Sequence, residues 1–275
     1  MEFTRWYQRY CTDSALKYPS ERTHKNYQCS VALFLNYFKN ETDPSHIKTD
    51  AIKNWLLTFK TINTRNHKLC AIKSFYDITV GMPLKLDRIP FSKKDKKLPQ
   101  IIEEDEIQSI LNVCDNLKHK TIICLLYACG LRIGELINLK LEHINTTTID
   151  IVLAKGRKDR IVPYPENLKQ LIEKYIAEYN PKIYLFNGWK NEPQYTESSI
   201  RQFLNKYASL AGIKKHIHPH LFRHSYATHS LEQGINLYFL QEILGHNKPT
   251  TTAIYLHTSR KSIGQIGSPI NGLSF

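Results

Sequence analysis

Apolar positions recur along the first eighty residues with a helical period. Tyr27, Val31, Phe34, Leu35 and Phe38 fall at i, i+4, i+7, i+8 and i+11, one stripe of a helix. Ile52, Trp55, Leu56 and Phe59 repeat the spacing after Asp50, a residue type suited to cap a helix start. Leu69, Ile72 and Tyr76 share a face of a third segment, predicted as a helix over 64–79 and ended by Gly81-Met82-Pro83. Short connections between such helices give a small bundle.

The pattern then lapses. Residues 89–100, IPFSKKDKKLPQ, set four lysines and one aspartate between two prolines and leave little to bury. This reads as a basic linker, with a domain boundary near residue 96.

Helical periodicity resumes beyond it. Glu103, Glu104, Asp105 and Glu106 load a first turn with the negative charge that a helix dipole favours there. Ile107, Ile110, Leu111 and Cys114 line one face after them, and 118–129 and 131–139 continue as helices. Residues 150–153 and 160–163 read as strands separated by the turn-rich AKGRKD. Leu168, Leu171, Ile172, Tyr175, Ile176 and Tyr179 mark an amphipathic helix, with further helices predicted at 197–210, 220–232, 237–244 and 249–256. The expected fold is mostly α, in two domains, 1–95 and 96–275, the second carrying a small β-sheet.

Composition sharpens this picture. At 275 residues the chain is long enough for two cores, and its formal charge of +13 points to a polyanionic partner. Residues 1–100 hold 18 basic against 9 acidic side chains, while 101–275 hold 20 against 16. A surplus concentrated in one third of the chain looks like a binding surface for a phosphodiester backbone. The longest apolar run, 122–131, is too short to span a bilayer, and MEFTRWYQRYC contains no signal-peptide core. Six cysteines without a CxxC pair favour reduced thiols, so a cytoplasmic location is expected.

Four islands carry candidate chemistry. They are GLRIGEL over 130–136, Lys155 in the AKGRKDR turn, HPHLFRH over 218–224, and Leu244-Gly245-His246 with Tyr255 nine residues later. Each alone has an ordinary explanation: a surface Arg132–Glu135 pair, a solvated lysine, a packing tyrosine. Together they supply what attack on a phosphodiester needs. Guanidiniums grip non-bridging oxygens, imidazoles donate or move protons, a lysine protonates a leaving oxygen, and a phenol acts as nucleophile.

The order Arg132, Lys155, His220-x-x-Arg223, His246, Tyr255 resembles the tyrosine recombinases of the lambda-integrase and Xer type. GLRIGEL, KGRKDRIVP, PHLFRHSYATH, LGH and TTAIYLH match in sequence order, and the likeness is close over 127–257. The resemblance implies an amino-terminal helical, SAM-like core-binding domain and a mainly helical catalytic domain. Tyr255 would form a 3′-phosphotyrosine, Arg132 and Arg223 would hold the phosphate, and Lys155 would be the general acid. His220 and His246 would assist at the phosphate, and Glu135 would orient Arg132. Because the phosphotyrosine retains the bond energy, the family needs no cofactor, neither ATP nor a divalent metal. Its partners would be double-stranded DNA with paired inverted half-sites and three further copies of the chain, exchanging strands through a Holliday junction; accessory proteins are left open and no membrane is involved. Lys93, Lys94, Lys96 and Lys97 of the linker would lie near DNA phosphates. Phe222 departs from the family, which commonly has Leu before the second arginine.

Other readings stand beside this one. His216, His218, His220, His224 and His229 could be imagined around zinc, although Pro219 interrupts the spacing and no cysteine lies near in sequence. A type IB topoisomerase uses similar residues to relax supercoils, and a catalytically silent DNA-binding regulator would need no Tyr255. The tail, 260–275, carries five apolar side chains and resembles recombinase tails that dock on a neighbouring protomer.

Overall fold

A computed structural model describes residues 2–93, 99–152, 159–188 and 194–257. Contacts between Cα atoms divide the chain into two compact units, Met1–Lys96 and Lys97–Phe275.

Aromatic stripes build the first unit. Helices α1 (Glu2–Lys17), α2 (Glu21–Tyr37), α3 (Thr49–Leu57) and α4 (Ile62–Phe75) surround a core of Tyr10, Val31, Phe34, Ile52, Trp55, Ile72, Phe75 and Tyr76. The rings meet edge-on: Phe75 lies 5.6 Å from both Tyr10 and Tyr76, and Phe34 lies 5.2 Å from Trp55. The periodic pattern missed α1, whose charged residues alternate with the aromatic ones, yet Tyr10 from α1 is fully buried.

Two local expectations change. Asp50 does not cap α3; the helix begins one residue earlier, at Thr49, and Asp50 sits in the first turn beside Lys53, 2.8 Å away. Helix α4 starts at Ile62 because the Thr61 hydroxyl accepts the Thr64 N–H, and it gives way at Tyr76–Val80 to a wider π-helical turn. Gly81 ends that turn in the left-handed conformation, φ +79°.

In the second unit α5 (Glu104–Val113), α6 (Leu117–Ala128), α8 (Glu166–Tyr179), α9 (Glu197–Leu210) and α10 (Pro219–Glu232) enclose the main core. Leu125, Leu126, Leu136, Ile149, Val162, Leu204 and Phe222 are buried in it. The expected helix over 131–139 shrinks to α7 (Ile133–Ile137). Its continuation is blocked where the Leu185 N–H takes the Leu139 carbonyl and Lys140 pairs with Tyr184. Strands β1 (Thr148–Ile151) and β2 (Arg160–Pro163) form an antiparallel pair, in which Ile151 faces Arg160. The first strand therefore sits two residues earlier than the pattern suggested.

Helix α11 (Leu237–Leu244) is followed by a split segment, α12 (Pro249–Ala253) and a 3-10 turn, Ile254–His257, where one helix over 249–256 was expected. Ala227, Leu240, Leu244 and Tyr255 pack as a small cluster distinct from the main core. Among the described residues no helix is long and apolar enough to cross a membrane. The tail lies outside the described residues.

Candidate active site

Two left-handed glycines shape the centre of the second unit. Gly130, φ +56°, ends the α6 segment, and Gly245, φ +60°, ends α11. A side chain at either would be strained, and a Cβ on Gly130 would come 2.6 Å from the Tyr226 ring. Their carbonyls receive the two arginines. Arg132 Nη2 donates to Gly245 O at 3.2 Å, and Arg223 Nη1 donates to Gly130 O at 2.7 Å.

Arg223 stands one turn into α10, a helix started by Pro219 in its first position, where no N–H is missed. It is almost fully buried, and Nη2 also donates to the Leu244 carbonyl. Nη2 lies 3.0 Å from His246 Nε2, and His246 Nδ1 lies 2.9 Å from the Thr252 hydroxyl. A guanidinium can only donate, so Nε2 accepts and the neutral ring carries its proton on Nδ1, toward Thr252. Burial and then Arg223, Arg132 and Arg160 push His246 down to about 4. Burial and Arg132 bring Arg223 down to about 9, so it stays charged at neutral pH.

Glu135 anchors the first arginine. It is the third residue of α7, and its carboxylate accepts the Arg132 backbone N–H at 2.8 Å and Arg132 Nη1 at 2.7 Å. Burial alone would raise its pKa. The Arg160 and Arg132 guanidiniums outweigh that and hold it at about 2.

Tyr255 is buried, 4% exposed. The hydroxyl lies 2.9 Å from His224 Nδ1, and its ring lies 6.5 Å from the His246 ring, nearly parallel. Burial raises the phenol pKa while Arg223 and Arg132 pull it back. Burial and the neighbouring His220, His218 and Arg223 lower His224 to about 4, so the ring is neutral at pH 7.

The structure thus gathers Arg132, Glu135, Arg223, His246 and Tyr255 in one centre. His220 lies on α10 one turn before Arg223 with an exposed side chain, its pKa lowered by partial burial and by Arg223, Arg201 and Arg132. Lys155 lies outside the described residues, as do Lys94, Lys96 and Lys97; Lys93 is exposed. Among the described residues no group of three or more His, Cys, Asp or Glu side chains could hold a metal ion.

Two residues of the centre escaped the sequence reading. Arg160 opens β2 as the pattern predicts, yet its side chain is also buried and bonded to both Glu135 oxygens. Alternation carried a signal: Arg160 shares a strand face with Val162, which is fully buried. His224, which the sequence offers only as a candidate metal ligand, meets the Tyr255 hydroxyl.

A paired-arginine centre with an enclosed tyrosine, on this helical frame, defines a class of phosphodiester-handling proteins. The chain belongs to the phage integrase family, whose model matches residues 100–262, and within it to the tyrosine recombinases. It is 34% identical over 258 residues to a tyrosine recombinase of Thermosipho africanus, covering 87% of this chain and 90% of the relative. Tyrosine recombinase XerC of Staphylococcus epidermidis is 32% identical over 272 residues, covering 90% of each. Among solved structures, XerA recombinase shares 28% identity with a TM-score of 0.55, over 92% of this chain and 93% of that one. A lambda integrase dimer bound to a core site shares the fold with a TM-score of 0.75 at 16% identity, over 90% of this chain and 96% of that one.

Proposed function

We propose that this tyrosine recombinase cleaves and rejoins double-stranded DNA at specific sites through a 3′-phosphotyrosyl intermediate. The observation that carries the reading is the buried Tyr255, its hydroxyl 2.9 Å from His224 Nδ1 and acted on by the charges of Arg223 and Arg132. A protein that only bound DNA would have no use for a phenol in that field.

Tyr255 attacks the scissile phosphorus, and the 5′-oxygen leaves with a proton from Lys155. Arg132 and Arg223 hold the non-bridging oxygens, their forks already aimed by the carbonyls of Gly245 and Gly130. His224, neutral at pH 7, accepts the phenolic proton, and His220 and His246 hydrogen-bond the phosphate. Residues 1–95 act as the core-binding domain and 96–275 as the catalytic domain. Lys93, Lys94, Lys96 and Lys97 lie against phosphates. Four protomers on two sites with inverted half-sites exchange strands in pairs through a Holliday junction, in the cytoplasm. The apolar tail docks on a neighbouring protomer.

The test uses a duplex selected by this protein from random sequence and nicked near the cleavage point, so that the released fragment diffuses away. Wild-type protein is expected to form a covalent adduct at Tyr255, with EDTA present, and to join strands of two duplexes. Tyr255→Phe is expected to bind equally and form none. Relaxation of supercoils without joining would instead indicate a topoisomerase, and binding without any adduct a regulator.

A further inference from the structure

The buried Arg160 has no part in the chemistry derived above, yet its bonds are as well made as those of the two phosphate-gripping arginines. Nη1 donates to Glu135 Oε1 at 2.9 Å and Nη2 to Glu135 Oε2 at 2.7 Å, a parallel two-bond fork. Its Nε donates to the Ile243 carbonyl at 2.6 Å, near the end of α11. The side chain is 6% exposed and that of Glu135 2%, while Arg132 keeps 25%. Gly245 lies directly against it: a Cβ there would stand 3.0 Å from Arg160 Cδ.

We propose that Arg160 is a positioning residue that clamps Glu135 and, through it, aims the Arg132 guanidinium at the scissile phosphate. The proposal rests on the recombinase reading for the identity of the target. Glu135 Oε1 receives both Arg132 Nη1 and Arg160 Nη1, and Oε2 receives the Arg132 N–H and Arg160 Nη2. Each oxygen is thus shared by the two arginines. Without Arg160 the carboxylate loses half of its bonds inside a buried site, and one fork end no longer fixes its plane.

The arrangement also settles charge. The groups acting on Glu135 and its partners are Arg132 before α7, Arg160 on β2, Arg223 on α10 and His246 after α11. Burial opposes ionisation of Glu135, and Arg160 is the largest influence working the other way. The remaining fork of Arg160, on Ile243 O, ties the same clamp to the chain segment that presents His246. Backbone pairing of Arg160 with Ile151 fixes the same clamp to the end of β1.

The experiment uses the full-length chain with 15N-labelled arginine, without DNA, and then the nicked duplex described above. In wild-type protein the Arg132 Nη signals, identified by their loss in Arg132→Lys, are expected to show hindered rotation of a clamped guanidinium. In Arg160→Gln they are expected to average. Adduct formation in a single turnover is expected to fall on the order of 100-fold, the size of effect that misplacing a reacting group produces, while DNA affinity holds. Arg160→Lys keeps a positive charge and most of the stem but cannot fork across both oxygens; it is expected to fold and to recover part of the rate. Arg160→Gln combined with Glu135→Gln is expected to be no slower than the worse single variant, because both break one device.

Three results overturn the proposal: a clamped Arg132 in Arg160→Gln, a wild-type rate in both Arg160 variants, or losses in the two single variants that multiply in the double. If wild-type protein forms no adduct, the recombinase reading fails, and the Arg132 signals measured without DNA still decide whether the clamp exists.

Discussion

The two units bury different kinds of polar group. Among the described residues of the first unit, the buried polar side chains are Ser14, Ser30, Ser74 and Thr79, all neutral hydroxyls. The second unit buries Glu135, Arg160 and Arg223 as well. Hydroxyls are satisfied cheaply, as where Tyr10 and Tyr18 both donate to the Ser74 hydroxyl. Buried charges are different: their desolvation is barely repaid even in good geometry, so three of them around one point argue for chemistry over stability. The first unit instead displays its charge, as its basic surplus shows. One unit buries neutral polar groups, the other gathers buried charge around one point.

The sharpest way to break this contrast is truncation of an aromatic ring in the first core. Phe75 touches Trp6, Tyr10, Phe34 and Tyr76, and Phe75→Ala is expected to destabilise that unit by about 3–5 kcal/mol. Chemical denaturation reads the loss, and the second unit's transition should stay in place. Arg132→Ala and Arg223→Ala are expected to do the reverse, raising the cleavage barrier by roughly 3–4 kcal/mol with a much smaller change in DNA affinity. Equal losses in affinity and rate would reduce both arginines to simple anchors.

Acid sharpens the contrast further. His119, His224 and His246 in the second unit are all held near 4, mainly by burial. Their unfolded values lie near about 6.5, so between the two the unfolded chain binds more protons. The second unit is therefore expected to keep its full stability above about pH 6.5 and lose it progressively toward pH 4. Glu135, at about 2, adds its own loss only below about pH 4.5. Calorimetry across that range should show the second transition falling first; a parallel decline of both would remove the distinction. The smallest effect concerns the linker. Neutralising Lys93, Lys94, Lys96 and Lys97 is expected to flatten the salt dependence of DNA binding by about 0.9 per lysine that meets a phosphate. An unchanged slope would return them to ordinary solvated charges.

Legibility in the sequence followed physical cause. Stripes such as Val31, Phe34 and Leu35 were readable because a helix face buries residues at fixed intervals, and all three are buried. Arg132, Arg223, His246 and Tyr255 were readable together because family-like strings surround them, whereas periodicity alone said nothing of their roles. Arg160 was hidden because its partner, Glu135, lies 25 residues away and a basic strand residue ordinarily faces water. The split after α11 was hidden as well, since a short α-helix and a 3-10 turn read alike over eight residues.

That split has a consequence for timing. Tyr255 sits on one 3-10 turn after a five-residue helix, packed with Ala227, Leu240 and Leu244 apart from the main core. The contacts there include His224 against the Tyr255 hydroxyl, His246 against the Thr252 hydroxyl, and that small apolar cluster. An element packed on a cluster separate from the main core can open on its own, more often than the body that bears it. On the function proposed above, the attacking phenol then rides on an element that can move by itself while the arginine cradle on the Gly130 and Gly245 carbonyls stays assembled.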